Sequence, residues 1–305
     1  AMLTVPWVMA AQALSGIAKD LNKMSAKSGI KLLVPDEQQG TLYKWVAILT
    51  GSKNTLKGVG FFLGGVLLMA AGFTGAVIIM VVALGLVWLA SLFLLGQDLG
   101  KSKAKPKFRE ILSKSRAINV LSAARMFLFG ARDVWFVVAL PVYLHTVFGW
   151  DFWKVGGFMA TWIIGYGFIQ TMAPRITGDM EGKQPAVLWV AALALVPAGI
   201  AIGLTAGWSP QFVIVGGLLL FGVLFAVNSS LHSYLIVSYA RGDGVSLDVG
   251  FYYMSNAAGR LLGTILSGWV YQAYGLEACL WISFGLVATA ALLSLMLPER
   301  RPVTA

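Results

Sequence analysis

Long apolar stretches recur along the chain, among them Gly75 to Gly96, separated by short polar or glycine-bearing connections. A run of about 20 apolar residues is the length a helix needs to cross the hydrocarbon core of a bilayer, so each run predicts a membrane helix. Nine spans are predicted, near 3–33, 41–72, 75–96, 117–148, 152–174, 185–206, 210–240, 247–273 and 276–297. The expected fold class is therefore all-α and polytopic. With 58% hydrophobic and 12% charged residues, a soluble fold of 305 residues is a poor alternative.

The basic residues between the spans set the orientation. Alternate connections carry Lys101, Lys103, Lys105, Lys107, Arg109, Lys114 and Arg116, then Arg175 and Lys183, then Arg241, then Arg300 and Arg301, while the intervening ones offer only Lys154. The positive-inside rule puts the basic connections and the C-terminus in the cytoplasm. Much of the net charge of +10 is this topology signal, so it does not indicate nucleic-acid binding. Trp150, Trp153 and Trp208 fall at the opposite boundaries, where amphipathic aromatic rings prefer to sit. Cys279 alone permits no intrachain disulfide or thiolate cluster, and His145 and His232 are too few and scattered for a metal site, so no metal or cofactor is expected. No secretory signal pattern is visible.

Three spans precede the hydrophilic stretch Gln97 to Arg116 and six follow it. Six is a whole repeat and three is half of one. The arrangement resembles the major facilitator architecture, in which two six-helix halves joined by a basic cytoplasmic loop form a pathway between them. On this reading residues 1–96 are helices four to six of the N-terminal half, 97–116 the linker, and 117–305 helices seven to twelve with a short cytoplasmic tail. Nine of twelve helices are then present, and the chain, which begins Ala1-Met2, is expected to be N-terminally incomplete. The spans at 75–96, 185–206 and 276–297 carry no charge except Glu277 at the edge of the last, as every third, lipid-facing helix of that architecture would.

Seven basic residues lie inside the predicted spans, Lys19, Lys23, Lys53, Lys57, Arg125, Arg132 and Arg260, against two acids, Asp20 and Asp133. A cation in hydrocarbon costs at least ~2.5 kcal/mol, so such residues mark a function, and this excess points to an anionic cargo. Lys19, Lys23, Lys27 and Lys31 recur every four residues and share one helical face; Lys19 and Lys23 are the deeper pair, and Lys27 and Lys31 are expected to snorkel to the cytoplasmic surface. Lys53 and Lys57 fall one turn apart near the middle of their span, where snorkelling is expensive. Arg125 and Arg132, seven residues apart, project from nearly the same face about 10 Å apart along the axis. Arginine grips phosphate-like oxygens bidentately. Asp133 is placed either to clamp Arg132 or to take part in proton coupling, as is Asp20. Asn228 and His232 offer neutral hydrogen bonds, and His232 reads better as a satisfied polar core residue than as a proton carrier.

Two further patterns bear on transport. Gly51, Gly60-Phe61 and Gly64-Gly65 resemble the antiporter signature of exporters in this superfamily, with Phe61 where a proline is expected; close helix packing through small residues explains the same glycines. At Gln12-Ala13-Leu14-Ser15-Gly16 a glutamine stands where the superfamily's fourth-helix motif has an arginine, so its proton-relay role does not carry over.

At Gly16 to Lys31, Gly40 to Gly65 and Ser122 to Leu144 the chain resembles the ArsJ family of organoarsenical efflux permeases, encoded beside a glyceraldehyde-3-phosphate dehydrogenase in bacterial arsenic-resistance operons. The run Lys-Asp-Leu-Asn-Lys-Met-Ser-Ala-Lys from Lys19 to Lys27 carries most of that likeness. The resemblance implies a transporter of the bacterial inner membrane that expels 1-arseno-3-phosphoglycerate, a functional link to the dehydrogenase, and no enzymatic activity of its own. A monomer in the lipid bilayer is expected. The same cations would also suit an organophosphate antiporter or a general organic-anion exporter. A membrane transferase would normally need paired carboxylates or histidines near the bilayer face, and the chain offers few.

Overall fold

The computed structural model describes residues 5–35, 38–94, 115–178, 183–240 and 245–298, and these are helical apart from short connections. The elements are α1 (Val5–Leu33), α2 (Gln39–Leu94), α3 (Arg116–Phe136), α4 (Ala139–Thr146), α5 (Phe152–Thr177), α6 (Lys183–Thr205), α7 (Pro210–Tyr239) and α8 (Val245–Leu295). The linker expected at 97–116 lies outside the described residues except for Ser115 and Arg116, as do Arg241, Arg300 and Arg301.

Among the described residues, five stretches combine the length and apolarity to cross a membrane: Gln39–Leu94, Arg116–Thr146, Gln184–Thr205, Pro210–Tyr239 and Val245–Leu295. Two of them hold two predicted spans each. α2 is interrupted at Gly72 (φ 65°, ψ 177°) and α8 at Gly275 (φ 81°, ψ −175°). A positive φ with an extended ψ is glycine territory, and it breaks each helix where the sequence divides one apolar run from the next. α1 and α5, at 29 and 26 residues, occupy two more predicted spans; the four lysines of α1 lower its apolarity.

The span predicted at 117–148 is not one helix. It breaks at Val137 and Val138, between α3 and α4. Pro141 is the cause: it has no N–H to give the carbonyl of Val137, and its ring crowds that carbonyl. The break frees the amide of Ala139, which donates instead to Ser267 Oγ of α8 at 3.1 Å.

Two apolar clusters hold the helices together. One joins α3 to α8 through Leu128, Trp135, Leu193, Ile214, Phe221, Phe225 and Val287, all fully buried. The other ties the start of α2 (Leu42, Val46, Ala47) to α5, α7 and α8 (Ala173, Leu235, Val249). Lipid is as apolar as leucine, so such contacts hold by close packing and hydrogen bonds rather than by escape from water. Small residues make the approach possible: a Cβ added at Gly263 of α8 would meet the carbonyl oxygen of Gly130 of α3 at 2.6 Å, and one added at Gly51 of α2 would meet that of Gly167 of α5 at 2.5 Å.

The second cluster lies at the end of the helices that carries the α1–α2, α5–α6 and α7–α8 connections, called here the packed end. Polar contacts reinforce it. Gln39 Oε1 accepts from Tyr234 Oη at 3.2 Å and Ser238 Oγ at 3.3 Å, Tyr43 stacks on Tyr234 with centroids 4.7 Å apart, and Ser246 Oγ donates to Ser28 Oγ at 3.3 Å.

Candidate functional site

Between α1 and α2 on one side and α3, α5, α7 and α8 on the other lies a cavity of about 320 Å³. Its wall carries seven cations, Lys23, Lys27, Lys53, Lys57, Arg125, Arg132 and Arg260, and among the described residues no carboxylate lines it. None of the lining residues comes from 75–94, α6 or 276–295, the charge-poor stretches.

Local packing explains which cations face inward. Met24 seats against Gly250 of α8, and together with the Ser28–Ser246 contact this fixes the rotation of α1. Lys23 and Lys27 then point into the cavity, whereas Lys19 is exposed and outside it. The expectation that Lys27 snorkels to the surface is therefore corrected: it is only 3% exposed, and its ammonium sits 5.2 Å from the ring centroid of Tyr253. Lys23 bonds Asp20 one turn earlier at 2.5 Å.

On α2, Lys57 donates to Asn54 Oδ1 at 3.4 Å, Asn54 donates to Gln170 Oε1 at 2.5 Å, and Gln170 donates to Tyr166 Oη at 2.9 Å. This chain of bonds orients the α2 side chains against α5.

On the α3 side, Asp133 is fully buried and accepts from two arginines. Arg132 Nε donates to Oδ1 at 2.6 Å and Arg260 Nε donates to Oδ2 at 2.9 Å. One carboxylate thus fixes both guanidinium groups, which has the geometry of a clamp and reaches a second arginine that sequence spacing did not suggest. Arg125 is held differently, by neutral oxygens: Nε donates to Asn256 Oδ1 and Nη1 to the carbonyl of Ser229, both at 3.2 Å. The ring of Phe129 lies 3.8 Å from its guanidinium carbon.

Asn228 and His232 are buried but outside the cavity wall. Asn228 Nδ2 donates to the carbonyls of Trp189 and Leu224, both at 2.8 Å, and so serves the α6–α7 packing. His232 is fully buried, and neither ring nitrogen bonds another described residue. The residues missed by sequence reasoning are Tyr166, Tyr253, Asn256 and Ser233, which supply hydroxyl and amide groups to the wall. Among the described residues no cluster of three or more His, Cys, Asp or Glu side chains is placed to hold a metal ion.

A polytopic helical bundle with a charged cavity between its helices is the form of a membrane transporter. The chain belongs to the Major Facilitator Superfamily, whose family model matches residues 1–247. Among solved structures it is similar to a bacterial homologue of the iron transporter ferroportin in an outward-facing state, at 15% identity with a TM-score of 0.71, over 97% of this chain and 75% of that one. At that identity the likeness carries the fold alone. No curated protein sequence matches the chain. Family and fold together indicate a transporter rather than an enzyme.

Proposed function

We propose that this chain exports an anionic organoarsenical, 1-arseno-3-phosphoglycerate, across the bacterial inner membrane by alternating access, with its C-terminus in the cytoplasm. The carrying observation is the cavity itself, lined by seven cations and, among the described residues, by no carboxylate. A wall of that sign attracts anions and repels metal cations, so iron, which ferroportin transports, is not the expected cargo here. The cargo has a phosphate at one end and an arsenate ester at the other, and both ends match ammonium and guanidinium donors. The choice of arsenic rests on the resemblance to the organoarsenical permeases over the lysine run of α1 and the spans that follow.

The proposed substrate-binding residues are Lys23, Lys53, Lys57, Arg125, Arg132 and Arg260, with residues 1–96 and 117–305 rocking against each other to alternate access. A glyceraldehyde-3-phosphate dehydrogenase would supply the cargo from arsenate.

The test is arsenic accumulation by everted membrane vesicles bearing the protein, offered arsenate alone or arsenate with dehydrogenase, NAD and glyceraldehyde 3-phosphate. Accumulation only with the enzyme system is expected. Uptake of free arsenate, or none in either condition, would overturn the organoarsenical reading. Strong competition by glycerol phosphate would favour an organophosphate exporter instead.

A further inference from the structure

We propose that the packed end of the cavity holds a preformed seat for a tetrahedral oxyanion, built by Lys27 of α1 and Arg125 of α3 beside the ring of Tyr252 of α8. This rests on the anion-exporter reading and deepens it by assigning where one end of the cargo binds.

The cations of the cavity are not equivalent. Arg132 and Arg260 share Asp133, and Lys23 has Asp20. Lys27 and Arg125 are the most deeply buried of the seven, at 3% and 4% exposure, and among the described residues neither bonds a carboxylate. A buried cation without a counter-ion is costly. Two on one cavity wall indicate that the missing negative charge comes from a ligand.

The geometry defines that ligand. Both cations approach Tyr252, with Lys27 Nζ 5.9 Å and the Arg125 guanidinium carbon 5.1 Å from its ring centroid. Phe129 covers one face of Arg125, and its Nε and one hydrogen of Nη1 are already engaged. Three N–H groups remain, two on Nη2 and one on Nη1, enough for two oxygens of one anion. Lys27 adds a point charge for a third. Ser233 Oγ on the cavity wall and Tyr252 Oη are buried hydroxyls that lie close to each other, and among the described residues neither bonds any other group. A phosphate or arsenate monoester has the charge and the number of acceptor oxygens to use this set.

Position adds a second consequence. Lys27 lies six residues from the end of α1 and Tyr252 seven from the start of α8, both toward the packed end. Arg132 lies about 10 Å farther along α3 than Arg125. A cargo with two anionic ends therefore lies along the helices, one end in the seat and the other at Arg132, Arg260 and Lys57, rather than across them. The seat is also shared between α1 and α3, so separating these helices at the packed end dismantles it and releases the anion.

The experiment titrates the purified protein in lipid nanodiscs with 3-phosphoglycerate and with inorganic phosphate, by calorimetry at fixed ionic strength. Lys27→Met and Arg125→Gln are expected to weaken 3-phosphoglycerate binding at least about tenfold. Lys27→Arg should retain binding, and Lys44→Met, on an exposed side chain of α2, should match the parent. Without anion, Lys27→Met should melt above the parent, because it removes an unpaired buried charge; loss of a merely structural lysine would lower the melting temperature. Parent-like affinity in Lys27→Met, or a parent that binds neither probe, would overturn the seat. Phosphate binding without 3-phosphoglycerate binding, abolished by Lys27→Met, would uphold the seat and count against the proposed cargo. Vesicles that export the arsenical equally well with Lys27→Met would uphold the cargo and overturn the seat.

Discussion

Asp133 on α3 and Arg260 on α8 are 127 residues apart in sequence and 2.9 Å apart in the structure, and the same carboxylate holds Arg132 at 2.6 Å. Gly130, Gly259 and Gly263 bring the two helix backbones close enough for this contact. Removing the carboxylate leaves two cations without their acceptor. Asp133→Ala is expected to destabilise the protein by about 3 kcal/mol, the lower part of the range for breaking a buried pair because Arg260 is half exposed. Asp133→Asn should keep the fold but loosen both arginines, raising KM for the proposed cargo more than it lowers kcat. Thermal melting and vesicle kinetics on the two variants check this, and an unchanged KM in Asp133→Asn would remove the positioning role.

Within the cavity, the cations should differ from those outside it. Lys53→Ala and Arg132→Ala are each expected to reduce vesicle transport by about tenfold or more, the loss of one charge-assisted contact. Lys19→Ala, on an exposed side chain outside the cavity, should cost less than about threefold by the same scale. If Lys53→Ala and Arg132→Ala both transported at the parent rate, the cavity would not be the binding site.

The glycines of α2 separate packing from signature. A Cβ at Gly167 of α5 would meet the carbonyl oxygen of Gly51 at 2.6 Å, whereas one at Gly60 or Gly64 meets nothing within 4 Å. Gly167→Ala should therefore destabilise by about 1–3 kcal/mol through overpacking. Gly60→Ala should be neutral or stabilising by up to about 1 kcal/mol, the helix-propensity difference. If Gly60→Ala melts as the parent does yet abolishes transport, that glycine serves the transport cycle rather than packing.

At the break between α3 and α4, Ser267→Ala would leave the Ala139 amide buried without an acceptor, at a cost of about 1–3 kcal/mol. Pro141→Ala permits the helix to heal, so the double variant should be more stable than Ser267→Ala alone. Melting of the three proteins measures the non-additivity. Additive losses would mean that the proline does not cause the break.

Much of the fold was legible because apolar run length and glycine position are local properties. The divisions at Gly72 and Gly275 fall between predicted spans. Pro141 is a local signal for the α3–α4 break, and apolar run length alone does not contain it. The candidate site was legible only in composition. Four lysines at fourfold spacing define a face of α1, but the rotation of that face is set by Met24 against Gly250 and Ser28 against Ser246, contacts more than 200 residues apart that no spacing contains. Hence Lys27 was expected at the surface and Lys19 inside, the reverse of what the packing produces. Asn228 and His232 were chosen for their chemistry, but the rotation of α7 turns them into the protein rather than the cavity.

The seven lining cations exceed the two acids bonded to them, Asp20 and Asp133, by five charges. An organic anion carrying two or three negative charges leaves such a site still positive. Transmembrane voltage exerts about 2.3 kcal/mol per charge per 100 mV on anything charged that moves across the field. With the cytoplasm negative, the field drives an anionic cargo outward and draws the empty, more positive carrier back toward the inside. The loaded site is still positive, so its outward stroke runs against the field, and the gain comes on the return stroke, where the empty site carries more positive charge inward than the loaded one carried out.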